Sequence, residues 1–187
     1  MGLFSPFLRK QRYEAALPHI KGDVLDLGCG ITALPEFLAN RKIRINSYTG
    51  IDVSEDAVRQ SRSAFPQHRF YALNLEQDNL PQADKFDTIL MLAVIEHIKN
   101  PKNALAQCLQ HLKDGGLLVI TTPTPLGNTI HRLGSKINLT SKEAAEEHCN
   151  IYSEQALKAL MESSGFETVR YKKLELCLNQ SIACKRR

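Results

Sequence analysis

The residues best suited to chemistry lie in the first third of the chain. Val24-Leu25-Asp26-Leu27-Gly28-Cys29-Gly30 reads as an apolar strand running into a glycine turn. Two glycines two residues apart let the backbone bend sharply and approach a ligand with no Cβ in the way. Asp52 closes the second apolar run, where a carboxylate can accept hydrogen bonds from both hydroxyls of a ribose. Gly28-Cys29-Gly30-Ile31-Thr32-Ala33 also fits the dinucleotide pattern G-x-G-x-x-A. Two features argue against a nicotinamide enzyme. Asp26 stands where dinucleotide sites usually carry an apolar residue, and 187 residues leave no room for a substrate domain of ordinary size.

These groups need a scaffold, and the apolar pattern supplies one. Short β-type runs at Asp23–Leu27, Ser47–Asp52, His68–Ala72, Phe86–Leu92 and Gly116–Thr121 alternate with helical segments at Leu34–Arg41, Glu55–Ala64 and Asn103–His111. Such alternation predicts a parallel sheet with crossover helices. Ser54 reads as a helix N-cap, its hydroxyl able to accept an orphan backbone N–H. A last helix over Ser153–Ser164 precedes two strands, Glu167–Lys172 and Leu174–Ala183, with no helix between them. Those two must pair antiparallel at the sheet edge. The expected fold is α/β: a Rossmann-like, seven-stranded, mostly parallel sheet with a C-terminal antiparallel hairpin and helices on both faces. The chain is expected to form one domain over residues 1–187. Residues 122–152, rich in Pro, Gly, Asn and Ser, are expected to form a substrate-binding lid.

Composition narrows the function classes. Twenty-four basic against 20 acidic residues leave a net charge of +4, too little for a nucleic-acid footprint without a basic stripe. The five cysteines are widely spaced with no C-x-x-C, which points away from a zinc or redox motif. Ile89–Ile95, the longest strongly apolar stretch, is too short to span a bilayer. The opening residues carry Arg9, Lys10 and Arg12 and do not read as a secretory signal. A cytoplasmic location without membrane insertion is the expectation.

The ordered set VLDLGCG (24–30), GIDV (50–53), LNL (73–75), FDTILMLAVIEHI (86–98) and LKDGGLLV (112–119), closed by the hairpin, resembles the class I S-adenosylmethionine-dependent methyltransferases. The E-H pair after the fourth strand is most similar to the quinone-biosynthesis-type O-methyltransferases. The resemblance implies S-adenosyl-L-methionine as cofactor and S-adenosyl-L-homocysteine as product. It implies that Gly28 and Gly30 admit the methionine and ribose portion, and that Asp26 lies near the amino end. Asp52 would bind the ribose hydroxyls and Val53 would pack on the adenine. Asn74 stands where the family often has Asp, its carbonyl able to accept from the adenine amino group. Leu75 and Leu92 would line the cofactor.

Methyl transfer is an in-line displacement at an activated carbon, so alignment dominates and a base is needed only where the acceptor must lose a proton. His97 and His148 are the candidate bases, each also readable as a structural imidazole. Glu96 reads as structural. Relatives that include small-RNA 2′-O-methyltransferases hold a divalent ion with E-x-x-E-H and a later histidine. Glu96, His97 and His148 match that pattern, but Ala93 replaces its first carboxylate, so no metal is expected. The expected activity is methyl transfer to oxygen or nitrogen of a small molecule, with nucleic acid as a less favoured acceptor. The alternatives are a non-catalytic S-adenosylmethionine-binding partner protein and a small-RNA 2′-O-methyltransferase-like enzyme.

Overall fold

The computed structural model describes residues 5–81, 84–129 and 149–187. Helix α1 (Ser5–Ala16) leads through a 3-10 turn at Leu17–His19 into β1 (Asp23–Leu27). Then follow α2 (Leu34–Asn40), β2 (Ser47–Asp52), α3 (Glu55–Ala64), β3 (Arg69–Ala72) and β4 (Phe86–Leu92). A 3-10 turn at Ile95–His97 precedes α4 (Pro101–His111), which runs directly into β5 (Leu112–Pro123). The chain closes with α5 (Glu154–Ser163), β6 (Phe166–Leu174) and β7 (Asn179–Arg186).

The seven strands lie in the order β3-β2-β1-β4-β5-β7-β6. β1 to β5 pair parallel with one another, and β7 is antiparallel to both β5 and β6. This is the sheet the sequence predicts, hairpin included. The sequence reading starts β5 at Gly116, whereas the strand begins at Leu112 and its register slips between Phe86 and Thr88 of β4. Gly115, at φ +74°, absorbs that irregularity. The strand at the hairpin's far side starts at Asn179 instead of Leu174, because Leu176 and Cys177 turn the chain with φ of 52° and 70°.

Each face of the sheet has its own core. On one, Leu25, Ile89, Met91 and Ile120 pack with Leu105 of α4 and Leu157 and Met161 of α5. On the other, Val24, Tyr48, Leu90 and Val119 pack with Tyr13 and Ala16 of α1, Leu38 of α2 and Val58 of α3. Burying both faces explains why the strands read as continuous apolar runs. The N-cap role of Ser54 holds: its hydroxyl accepts from the Ala57 amide at 3.2 Å.

β1 has β2 on one side and β4 on the other, so the chain reverses its direction of travel across the sheet there. In open α/β sheets, ligands bind outside the carboxyl ends of the strands at that switch point. The loops after β1, β2, β4 and β5 therefore define where a site belongs. Beyond β5, Thr124 fastens the chain to the β6–β7 turn: its amide and hydroxyl both donate there, the hydroxyl to the Cys177 carbonyl at 2.6 Å. Residues 130–148 of the expected lid lie outside the described residues. Among the described residues, no helix is long and apolar enough to cross a membrane.

Candidate cofactor and acceptor site

The glycine loop is held from below and from the side. The amides of Gly28 and Cys29 both donate to the Ile51 carbonyl, at 2.7 and 2.9 Å, which carries the turn across the end of β2. Gly28 adopts φ +71° and Gly30 φ +56°, the left-handed region that glycine enters at no steric cost. A Cβ on Gly28 would fall 2.4 Å from a methyl of Val94, so this glycine also lets the loop after β4 close in. At Gly30 the nearest atom to such a Cβ is Asp52 Oδ2, 4.0 Å away. The place a side chain would take at Gly30 is thus empty, beside the carboxylate.

Asp52 is fixed at the edge of that space. Its Oδ2 accepts the Gly30 amide at 2.7 Å and its Oδ1 accepts the Ser54 amide at 2.9 Å. Each oxygen keeps lone-pair capacity for a further donor. Val53 and Ile31, on either side, are large apolar residues left 71% and 47% exposed. A polar acceptor flanked by uncovered apolar side chains suits an amphipathic ligand such as a nucleoside.

Asp26 lies buried beneath the glycine loop. It is 3% exposed, and Tyr48 donates its phenolic O–H to Asp26 Oδ2 at 2.6 Å. Burial pushes its carboxyl up to about 7, against the pull of the Tyr48 hydrogen bond and with help from the Asp52 charge. Tyr48 also meets the Thr32 hydroxyl at 3.1 Å, and Thr32 Oγ1 accepts the Leu34 amide at the start of α2. The same network, completed by Ser61 donating to the Gly30 carbonyl at 3.2 Å, stiffens the loop. Cys29 belongs to the support as well: burial raises its thiol, which makes it unreactive.

Asn74 serves its own loop. Its Oδ1 accepts the Glu76 amide at 2.9 Å, and its amide N–H donates to Asp78. Leu75 and Leu92 are half-buried. His97 is exposed, at the end of the turn after β4, while His148 lies outside the described residues. Among the described residues no group of three or more His, Cys, Asp or Glu side chains is placed to hold a metal ion.

The loop after β4 holds what the sequence reading passes over. Ala93 sits at φ +60°, a strained conformation for a residue with a Cβ, with its amide bonded to the Thr121 carbonyl at 2.9 Å. Glu96 follows, 1% exposed, and its Oε2 has no hydrogen-bond partner among the described residues. Burial drives its carboxyl to about 7; hydrogen bonding from its own backbone N–H, the Arg12 guanidinium on α1 and the adjacent Thr122 hydroxyl oppose that rise. The hydroxyls of Thr122 and Tyr152 are likewise buried and without a partner. The signal in the sequence was a lone acidic residue inside the apolar run Ala93–Ile98.

A methyltransferase-domain family model matches residues 6–171. Over 172 residues the chain is 30% identical to the tRNA U34 carboxymethyltransferase of Vibrio vulnificus, covering 85% of this chain and 50% of that protein. Over 105 residues it is 33% identical to the mitochondrial ubiquinone biosynthesis O-methyltransferase of Candida albicans, covering 53% and 32% respectively. The chain thus spans about a third to a half of the length of these relatives. A S-adenosylmethionine-dependent methyltransferase from Clostridium acetobutylicum has the same fold, with TM-score 0.73 at 15% identity, covering 98% of this chain and 96% of that one. So does the N-methyltransferase NodS of Bradyrhizobium japonicum in complex with S-adenosyl-L-homocysteine, with TM-score 0.69 at 18% identity, over 99% and 88%.

Proposed function

The chain belongs to the methyltransferase-domain family, and we propose that it moves the methyl group of S-adenosyl-L-methionine to a small-molecule acceptor. The observation that carries this reading is the empty side-chain position at Gly30 beside the Asp52 carboxylate, bordered by exposed Val53 and Ile31. The residues present fit the cofactor. Asp52 would accept from the two ribose hydroxyls, and Val53 would cover one face of the adenine. Gly28, Gly30 and the backbone around Leu92 would admit the methionine arm. Leu75 would close the adenine side, with Asn74 fixing that loop. Asp26 supports the loop through Tyr48 and Thr32 and, in this reading, faces the amino end of the cofactor only across that layer.

The bound cofactor supplies a methyl carbon already activated by a sulfonium. What remains for the protein is to hold the acceptor in line with it and to keep water out. The Ala93–Ile98 turn and the ends of β5 border the acceptor side. His97 and His148 stand as candidate proton acceptors. Ala93, where related metal-dependent enzymes carry a carboxylate, supports a reaction without a metal.

One observation favours a second reading, in which the acceptor is RNA: the relatives named tRNA U34 carboxymethyltransferases align over 85% of the chain. The modest charge favours the small molecule. Both are tested by following S-adenosyl-L-homocysteine release in fractionated cell extracts. Release driven by the low-molecular-weight fraction supports the first reading, and release driven only by the RNA fraction overturns it.

A further inference from the structure

Three polar atoms that ought to be hydrogen-bonded have no partner among the described residues, and all lie in one place. They are the Glu96 Oε2, the Thr122 hydroxyl and the Tyr152 hydroxyl. Buried polar groups are almost always satisfied, and each unpaired one costs about 1–3 kcal/mol. Three convergent exceptions at the carboxyl ends of β4 and β5 demand an explanation. Tethers bring them together. The Asn150 amide donates to the Glu96 carbonyl at 3.1 Å, and its side-chain N–H to the Ile98 carbonyl at 2.7 Å. Gln180, paired with Thr122 across β5 and β7, donates to the carbonyls of Tyr152 and Pro123 at 2.7 and 3.2 Å. These bonds pin the backbone on both sides while leaving the three side-chain atoms unmatched. The place also adjoins the glycine loop, since Val94, two residues before Glu96, packs on Gly28.

We propose that Glu96, Thr122 and Tyr152 form the subsite for the reacting group of the acceptor, that this group is a hydroxyl, and that Glu96 takes its proton. This deepens the methyl-transfer reading and rests on it. A base selects oxygen over nitrogen: a neutral amine attacks through its lone pair without first losing a proton, whereas a hydroxyl becomes a competent nucleophile as its proton leaves. A hydroxyl oxygen has two lone pairs, so one can attack the methyl carbon while the other accepts from Thr122 or Tyr152; its proton points to Glu96 Oε2. In the step, an oxygen lone pair forms the O–C bond and the C–S bond breaks with its electrons returning to sulfur. The hydroxyl proton passes to the Glu96 carboxylate. The groups that face Glu96 are Arg12 from α1, Thr122 from β5 and Tyr152 ahead of α5, with exposed His97 next to it in the chain. A carboxyl raised to about 7 is well matched to receive a proton near neutral pH.

The test uses the full chain with S-adenosyl-L-methionine and three probes: phenol, benzyl alcohol and benzylamine. S-adenosyl-L-homocysteine release is measured for wild type, Glu96→Gln, Thr122→Val and Tyr152→Phe, and S-adenosyl-L-homocysteine binding is measured separately by calorimetry. The expectation is release with at least one hydroxyl probe, exceeding that with benzylamine. Glu96→Gln should cut it by about 10²–10⁴-fold with cofactor affinity unchanged, and should abolish any limb of the pH–rate profile near 7. Thr122→Val and Tyr152→Phe should raise KM more than they lower kcat, which keeps the test open if Glu96→Gln does not fold. The proposal is overturned by full turnover in Glu96→Gln, by a preference for benzylamine, or by no release with either hydroxyl probe. A wild-type chain that fails to bind S-adenosyl-L-homocysteine overturns the underlying methyl-transfer reading instead, and the subsite with it.

Discussion

The Gly30 amide donates to Asp52 Oδ2 at 2.7 Å, so the carboxylate that ends β2 and the turn that ends β1 are one unit. Asp52 therefore has two tasks, shaping the loop and presenting an acceptor edge. Asp52→Ala is expected to weaken S-adenosyl-L-methionine binding by on the order of 1.5–3 kcal/mol, the range for losing hydrogen bonds to a charged group. Asp52→Asn, which keeps one acceptor oxygen, should lose less. Calorimetric titration of both variants checks the order.

Packing under the loop gives a stability prediction. A Cβ on Gly50 would lie 2.7 Å from the Phe70 ring and 2.8 Å from Cys29 Sγ, both held by the core. Gly50→Ala should destabilise the fold by roughly 1–3 kcal/mol through overpacking. It should also weaken cofactor binding, because Cys29 belongs to the loop. Urea unfolding measures the first effect, and wild-type stability in this variant would contradict the packing described.

Ala93 offers the opposite case. At φ +60° it holds a conformation that costs a residue with a Cβ about 1–2 kcal/mol. Glycine removes that strain but adds about 0.4–1 kcal/mol of unfolded-state entropy. Ala93→Gly should thus leave stability equal or slightly raised, while the β-branched Ala93→Val should lower it clearly. Thermal melts of the pair give the comparison.

Two buried carboxyls predict a pH dependence with a definite sign. Asp26 and Glu96 are each raised to about 7, chiefly by burial, from ordinary values near 4. Between those limits the folded chain keeps protons that the unfolded chain has lost. Each group therefore makes stability fall as pH rises from about 4 to about 7, with no further change above. The half-buried His19 and His68, shifted downward chiefly by desolvation, act in the other direction. The clean readout is a difference: wild type minus Glu96→Gln, and wild type minus Asp26→Asn. Each difference should fall by on the order of 2–3 kcal/mol between pH 4 and 7. A flat difference curve would show that the carboxyl is solvated.

Much of this was legible in the sequence. The strand–glycine–helix pattern at Val24–Gly30 and the cap at Ser54 follow from local chemistry, and the folded chain forms both as expected. The terminal hairpin followed from two apolar runs with no helix between them. What the sequence hides is pairing across distance. The sequence does not show that Tyr48, 22 residues away, donates to Asp26. Nor does it show that Thr122 and Tyr152, from other elements, come to face the buried Glu96 carboxyl. The Glu76 amide bonded to the Asn74 carbonyl is likewise visible only in the folded loop.

The central claim is that the loop at Gly28–Gly30 and the Asp52 carboxylate form a site for S-adenosyl-L-methionine. Calorimetric titration of the wild-type chain with S-adenosyl-L-homocysteine, with Asp52→Ala and NADH as comparisons, tests it most directly. The prediction is saturable one-to-one binding, weakened about 10- to 100-fold by Asp52→Ala and unaffected by NADH. Absence of binding, equal affinity in Asp52→Ala, or displacement by NADH would contradict it.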